Sequence, residues 1–148
     1  LQDRGLVRHI GVSNFSVSQL RAAREASKTP IIADQVPYDP TTDQRDLLEF
    51  CIYEEVLLTA YSPLAKGRVE SDETLAEIGD RHGKSPPQVA LRWLVQQPMV
   101  AAIPKASTRA HLAANIDIFD FELTDAEMER VFEHQGGLVS RLRNVLGL

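Results

Sequence analysis

Residues 56–67 read Val56-Leu57-Leu58-Thr59-Ala60-Tyr61-Ser62-Pro63-Leu64-Ala65-Lys66-Gly67. A short apolar run ends in polar residues and a Pro/Gly-marked turn, and a helical pattern carrying Leu75 and Ile78 follows, stopping at Gly83. That order is one strand-loop-helix unit. Three other runs repeat it: Arg8-His9-Ile10-Gly11-Val12-Ser13-Asn14, Ile31-Ile32-Ala33-Asp34-Gln35 and Val100-Ala101-Ala102-Ile103-Pro104-Lys105. Strands alternating with helices predict a parallel sheet with right-handed connections. In a (β/α) barrel, binding groups sit where strands end, so Ser13, Asn14, Gln35, Tyr61, Ser62 and Lys105 are expected to converge on one rim. A closed barrel takes eight such units and about 250 residues. This chain has four units in 148 residues. Leu1 to Gly5 reads as the last turn of a helix stopped by a left-handed glycine, so a fragment or truncated product is expected.

The helix signals are local and specific. Ser16-Val17-Ser18-Gln19 has the form of a capping box, followed by an apolar stripe of Val17, Leu20, Ala23 and Ala26 that Thr29-Pro30 breaks. Gln35-Val36-Pro37-Tyr38-Asp39-Pro40 predicts a loop, with a helix through Leu47, Leu48 and Cys51 beyond it. Ser85 caps a helix with Pro86 in its first turn, and Val89, Trp93 and Leu94 form its core stripe. A helix from about Arg109 to Ile116 follows the fourth run. Thr124-Asp125-Ala126-Glu127 is a second capping box, with Leu123 and Met128 as its hydrophobic staple. After Gly136-Gly137, Leu138, Leu142 and Val145 fall on one face of a tail helix. No linker marks a second domain.

Composition excludes several function classes. A formal net charge of -5 and a pI near 5.3 argue against a nucleic-acid partner, which wants clustered Lys and Arg. Cys51 is the only cysteine. One thiol permits neither a disulfide framework nor a cysteine metal cluster, so a reducing, cytoplasmic setting with no metal is expected. No apolar stretch approaches the roughly 20 residues of a membrane span.

Amides and hydroxyls at neighbouring strand ends suit a flat amide-bearing heterocycle: Ser13, Asn14 and Gln35 offer hydrogen-bond partners and Tyr61 an aromatic face. Composition alone favours a structural role for each residue taken singly, Asn14 in a turn, Gln35 satisfying loop backbone, Tyr61 in the core. Lys105 with Ser107, Arg109 and His111 at a helix start is a local phosphate site or a capped helix with solvated charges.

The surrounding motifs carry a further signal. Gly11-Val12-Ser13-Asn14-Phe15-Ser16, Gln35-Val36-Pro37-Tyr38, Ala60 to Gly67, and Ile103-Pro104-Lys105-Ala106-Ser107 with Asn115 beyond them resemble the second half of the aldo-keto reductase superfamily. They match in order and spacing across nearly the whole chain. The resemblance implies the last four βα units of a TIM barrel with extra C-terminal helices, residues 1–148 forming one cofactor-binding half. It implies an NADPH-dependent reductase of aldehydes or ketones, with a small carbonyl compound as substrate. By resemblance, Ser13, Asn14 and Gln35 hold the nicotinamide carboxamide and Tyr61 stacks on the ring. Ser62 and Leu64 line the pyrophosphate path. Lys105, Ser107, His111 and Asn115 fall at the adenosine end, with Lys105 facing the 2′-phosphate.

Several positions depart from the family pattern. His111 stands where many members have Arg for that phosphate, and Ala106 where a Ser often follows the lysine. NADH is therefore an open alternative to NADPH, with Arg109 as a compensating cation. Pro37 and Asp39 replace a common Glu and His. The family's catalytic Asp, Tyr, Lys and His belong to the first four units, so no catalytic residue is assigned here; Tyr38, Tyr53, Tyr61, His9, His82, His111 and His134 do not match that set. The alternative is a non-catalytic cofactor-binding or regulatory module of the same fold. Unpaired sheet edges predict self-association of the isolated half.

Overall fold

The computed structural model describes the backbone of residues 1–146 and the side chains of residues 1–135. A 3-10 turn at Gln2–Arg4, closed by left-handed Gly5 (φ 69°), leads into β1 (Ile10–Ser13) and α1 (Val17–Ala26). Then come β2 (Ile31–Pro37), α2 (Arg45–Tyr53) and β3 (Leu57–Tyr61). A 3-10 segment at Ala65–Ser71 precedes α3 (Glu73–His82) and α4 (Pro86–Gln96), and β4 (Val100–Ile103), α5 (Arg109–Ile116) and α6 (Asp125–Leu146) complete the order. The four strands form one sheet in sequence order, and each neighbouring pair is parallel.

The expected caps are present. The Ser16 hydroxyl accepts from the Gln19 N–H at 3.3 Å, and the Gln19 side-chain Oε1 accepts from the Ser16 N–H at 2.9 Å. Thr124 and Glu127 repeat the exchange at 3.3 and 2.9 Å. The carboxylate of Glu127 also meets His82 at 3.0 Å and Arg81 at 3.4 Å, so the start of α6 is tied to the end of α3. Gly83 stops α3 with φ 65°, a conformation that costs glycine no Cβ clash.

Helices cover one face of the sheet. Leu20 of α1, Leu48 and Cys51 of α2, Leu75 and Ile78 of α3, and Val89, Trp93 and Leu94 of α4 bury against Ile31, Val36, Leu58 and Ala60. Each leucine, isoleucine and valine among them contributes about 1.5–3 kcal/mol by leaving water. Trp93 is fully buried, its ring 5.3 Å from that of Tyr38. The Tyr38 hydroxyl donates to Gln97 Oε1 at 2.6 Å, so the phenol enters the core with its polar end satisfied. On the other face, Leu57 and Ile103 are exposed.

Two elements differ from the sequence reading. β2 runs on through Val36 to Pro37, where a loop is expected from the prolines; Pro37 still fits because it is the last strand residue, paired with Tyr61. The backbone of α6 continues through Gly136-Gly137 to Leu146 rather than pausing there. Two interior glycines cost a helix only about 1 kcal/mol each and do not by themselves end it. The face expected from Leu138, Leu142 and Val145 lies outside the described side chains.

Register places the rim. Ser13 pairs with Gln35, Gln35 with Thr59, and Tyr61 with both Pro37 and Ile103. Between Ile10 and Val12 the β1–β2 pairing slips by one residue. The extra residue in β2 turns Asp34 to the helix-covered face, where it is fully buried. Gly11 sits at the slip because a Cβ there would lie 2.9 Å from the Ala33 carbonyl oxygen.

Candidate functional site

At the carboxyl end of β1, the Ser13 hydroxyl and the Asn14 N–H both donate to the Gln35 carbonyl oxygen at 2.9 Å. Asn14 has φ 60°, and its Oδ1 accepts from the Tyr61 hydroxyl at 3.1 Å. Four residues from three strand ends are thereby joined in one cluster. Beneath it, Asp34 Oδ1 accepts weakly from the Phe15 N–H at 3.5 Å, and its Oδ2 has no partner. Burial pushes the Asp34 carboxyl above the usual carboxylate range. Sequence reasoning passed over this residue because the slip that buries it is a pairing property of two strands.

After Tyr61 the backbone turns sharply. Ser62, Ala65 and Lys66 have φ of 52°, 48° and 55°, held by Ala65 N–H to Ser62 O and Gly67 N–H to Leu64 O, each 2.8 Å. Left-handed non-glycine residues cost about 1–2 kcal/mol apiece, so three in five residues mark a loop shaped by its surroundings.

This loop forms one wall of a groove of about 550 Å³. Ser62, Leu64, Lys105, His111 and Asn115 line it, as the sequence reading expects of one binding path. Lys66, Glu70, Ser85 and Ala114 also line it and were not singled out, since nothing local marks them as facing β4 and α5. Ser107 and Arg109 are exposed and do not line the groove. The helix period explains the split: Ala114 and Asn115 lie three and four residues after His111 on one face of α5, whereas Arg109 falls on the other. Thr108 caps α5 by accepting from the His111 N–H at 3.1 Å.

A second hollow of about 500 Å³ contains Pro37, Asp39, Tyr61, Ser62, Lys66 and Arg68. Ser62 and Lys66 belong to both walls, and Tyr61 of the strand-end cluster lines the second hollow. Neither Lys66 nor Lys105 enters an ion pair among the described residues. Asn115 Nδ2, buried at the groove, has no hydrogen-bond partner. Free cations, an unanswered amide donor and hydroxyls fit an anionic ligand.

The model of the aldo/keto reductase family matches residues 1–135. The chain belongs to the aldo/keto reductase family. It is 40% identical over 133 residues to aldose reductase B of Dictyostelium discoideum, a match covering 88% of this chain and 42% of that protein. A solved putative 2,5-diketo-D-gluconic acid reductase B superposes with a TM-score of 0.88 at 47% identity, covering 90% of this chain and 47% of the other. A mutant of Gox0644 in complex with NADPH matches with a TM-score of 0.85 at 34% identity, over 90% of this chain and 49% of that one. The chain spans about half the length of the curated relatives it matches. Its parallel sheet is thus a four-strand portion of an aldo-keto reductase barrel. Among the described residues no helix is long and apolar enough to cross a membrane, and no cluster of His, Cys, Asp and Glu could hold a metal ion.

Proposed function

We propose that this chain is the cofactor-holding half of an aldo-keto reductase, binding a nicotinamide dinucleotide for reduction of aldehydes or ketones to alcohols. The observation that carries the reading is that Ser62, which follows the Tyr61 joined to Asn14, lines both the hollow beside Tyr61 and the groove that bears Lys66 and Lys105. In this reading Ser13, Asn14 and Gln35 hold the carboxamide and Tyr61 gives its ring face to the nicotinamide. Ser62 and Leu64 border the pyrophosphate, and Lys105, His111 and Asn115 grip the adenosine end. Ser107 and Arg109 stand outside the groove and are left without a contact. When bound, the dihydronicotinamide supplies a hydride to a carbonyl carbon.

The chain's own residues bind and orient. The left-handed turn at Asn14 aims its amide across the rim, and the Tyr61 hydroxyl steadies that amide. None of the three tyrosines is placed as a proton donor to substrate. Tyr38 is buried with its hydroxyl on Gln97, and burial pushes its pKa well above the usual phenol value; Tyr53 is exposed on α2, and Tyr61 is committed to Asn14. The proton that completes carbonyl reduction therefore comes from residues other than these.

The test is an assay of the 148-residue chain for NADPH binding and for NADPH-dependent reduction of an aldehyde panel. Binding without turnover is expected. Turnover would refute the absence of an acid, and failure to bind NADPH or NADH would refute the cofactor reading.

A further inference from the structure

Among the described residues the sheet has two open sides. β1 pairs only with β2 and β4 only with β3, so Ile10–Ser13 and Val100–Ile103 each leave one edge of backbone unanswered. The two sides differ in shape. No residue of α5 is buried; Leu112 and Ile116, one turn apart, are 58% and 68% exposed and turn away from the face that carries His111 and Asn115. With Leu91, Val95, Ala102 and Phe119 they line an apolar hollow of about 270 Å³ beside β4. On the β1 side, Arg21 over the Phe50 ring and Arg24 on Glu54 mark the flank of α1 that faces α2, and Ala22 and Ala26 lie exposed away from it. Large side chains on one flank and small ones on the other suit two helices packed side by side. The charges differ too. Asp117, Asp120 and Glu122, after α5, are exposed and share Lys84 and Arg92, whereas Arg4 and Arg8 before β1 and Lys28 after α1 are exposed and enter no ion pair among the described residues.

We propose that a second copy of this chain covers both sides at once: β4 and α5 of each copy dock against β1 and α1 of the other around a two-fold axis, closing an eight-stranded barrel from two four-stranded halves. A half turn about the barrel axis keeps strand direction, so β1 arrives parallel to β4, as every neighbouring pair in the sheet already is. The same half turn sets the remaining β1 beside the remaining β4, so growth stops at two copies, and eight is the strand number at which this kind of sheet closes. Leu112 and Ile116 then meet the Ala22–Ala26 flank. Helices return along their strands, so the acidic segment after α5 and the basic residues beside β1 come together at the end of the sheet where the strands begin. Closure also buries Leu57 and Ile103, which are exposed on the face of the sheet that lacks helices. Both Asn14–Tyr61 contacts open on one rim. The dimer goes beyond the cofactor reading and stands or falls independently of it.

The experiment is sedimentation equilibrium of the full chain, of Ile116→Glu, of Ala22→Arg, and of the two variants mixed. Wild type is expected to reach the mass of two chains and to stay there as concentration rises. Each variant alone places an unpaired charge in both interfaces of its dimer and should weaken association by roughly tenfold or more. The mixture should recover the dimer, because one interface then pairs Glu with Arg and the other keeps the native Ile116 and Ala22. A variant that had merely failed to fold would not be rescued. Cross-linking gives a second readout: chains carrying Ala22→Cys and chains carrying Ile116→Cys should form disulfides with each other and not with their own kind. A monomeric wild type, mass that climbs past two chains, cross-links between like positions, or pairing only with a separately supplied first half of an aldo-keto reductase barrel would each overturn the dimer.

Discussion

Replacing Asn14 separates what its backbone does from what its side chain does. The residue holds φ 60° while its Oδ1 accepts from Tyr61 at 3.1 Å and its N–H donates to Gln35 at 2.9 Å. Alanine meets the same Cβ crowding as asparagine but has no short polar side chain to offset it locally, a difference of up to about 1 kcal/mol, and the lost side-chain bond adds about 0.5–1 kcal/mol at this exposed site. Asn14→Ala should therefore lower stability by roughly 1–2 kcal/mol. Asn14→Gly adopts the same backbone freely and should lose only about 1 kcal/mol or less. Dinucleotide affinity should follow the side chain instead: both variants lose a bond to the carboxamide, about five- to tenfold in dissociation constant. Urea unfolding with a parallel NADPH titration reads both quantities. Equal stabilities for the two variants would refute the strain argument, and wild-type affinity in Asn14→Gly would refute the role given to the amide.

Other consequences follow from burial and packing. Because burial raises the folded-state pKa of Asp34, stability contributed at this position is greatest below the ordinary carboxylate value and falls as pH rises through the raised one. Asp34→Asn should accordingly be more stable than wild type at neutral pH, with the gap closing on acidification in pH-dependent urea melts; a gap constant with pH would contradict the assignment. Gly11→Ala must displace the Ala33 carbonyl from 2.9 Å and should cost about 1–3 kcal/mol by thermal melting, whereas no loss would mean the β1–β2 slip is not held there. Ile103, Leu112, Ile116 and Phe119 are exposed around β4 and α5, so the chain should self-associate with concentration in light scattering, less so as Phe119→Glu. A monodisperse monomer at high concentration would contradict this.

Much of the fold was legible because its signals are local. The Ser16–Gln19 and Thr124–Glu127 boxes announce their helices in four residues each, and the four apolar runs mark four strands. α5 spans Arg109–Ile116, as expected, with Thr108 capping its start. What was not legible depends on partners distant in sequence. Ala65 and Lys66 are left-handed without being glycine or asparagine, so no residue preference gives the Ala65–Ser71 segment away. Asp34 reads as a polar strand end until the slip against β1 turns it inward. Lys66 and Glu70 become groove residues only when β4 and α5 supply the opposite wall. Arg109 shows the converse: nearness to His111 in sequence puts it on the other side of the helix.

The most direct measurement of the central claim is a map of backbone amide shifts as NADPH is titrated into the chain. The account predicts two connected sets of perturbed residues, Ser13, Asn14, Gln35 and Tyr61 at the strand ends and Lys66, Lys105, His111 and Asn115 along the groove, with Arg109 less affected. Saturable shifts centred instead on the hollow between Ser16 and Asp46, or no saturable shifts with either dinucleotide, would contradict it.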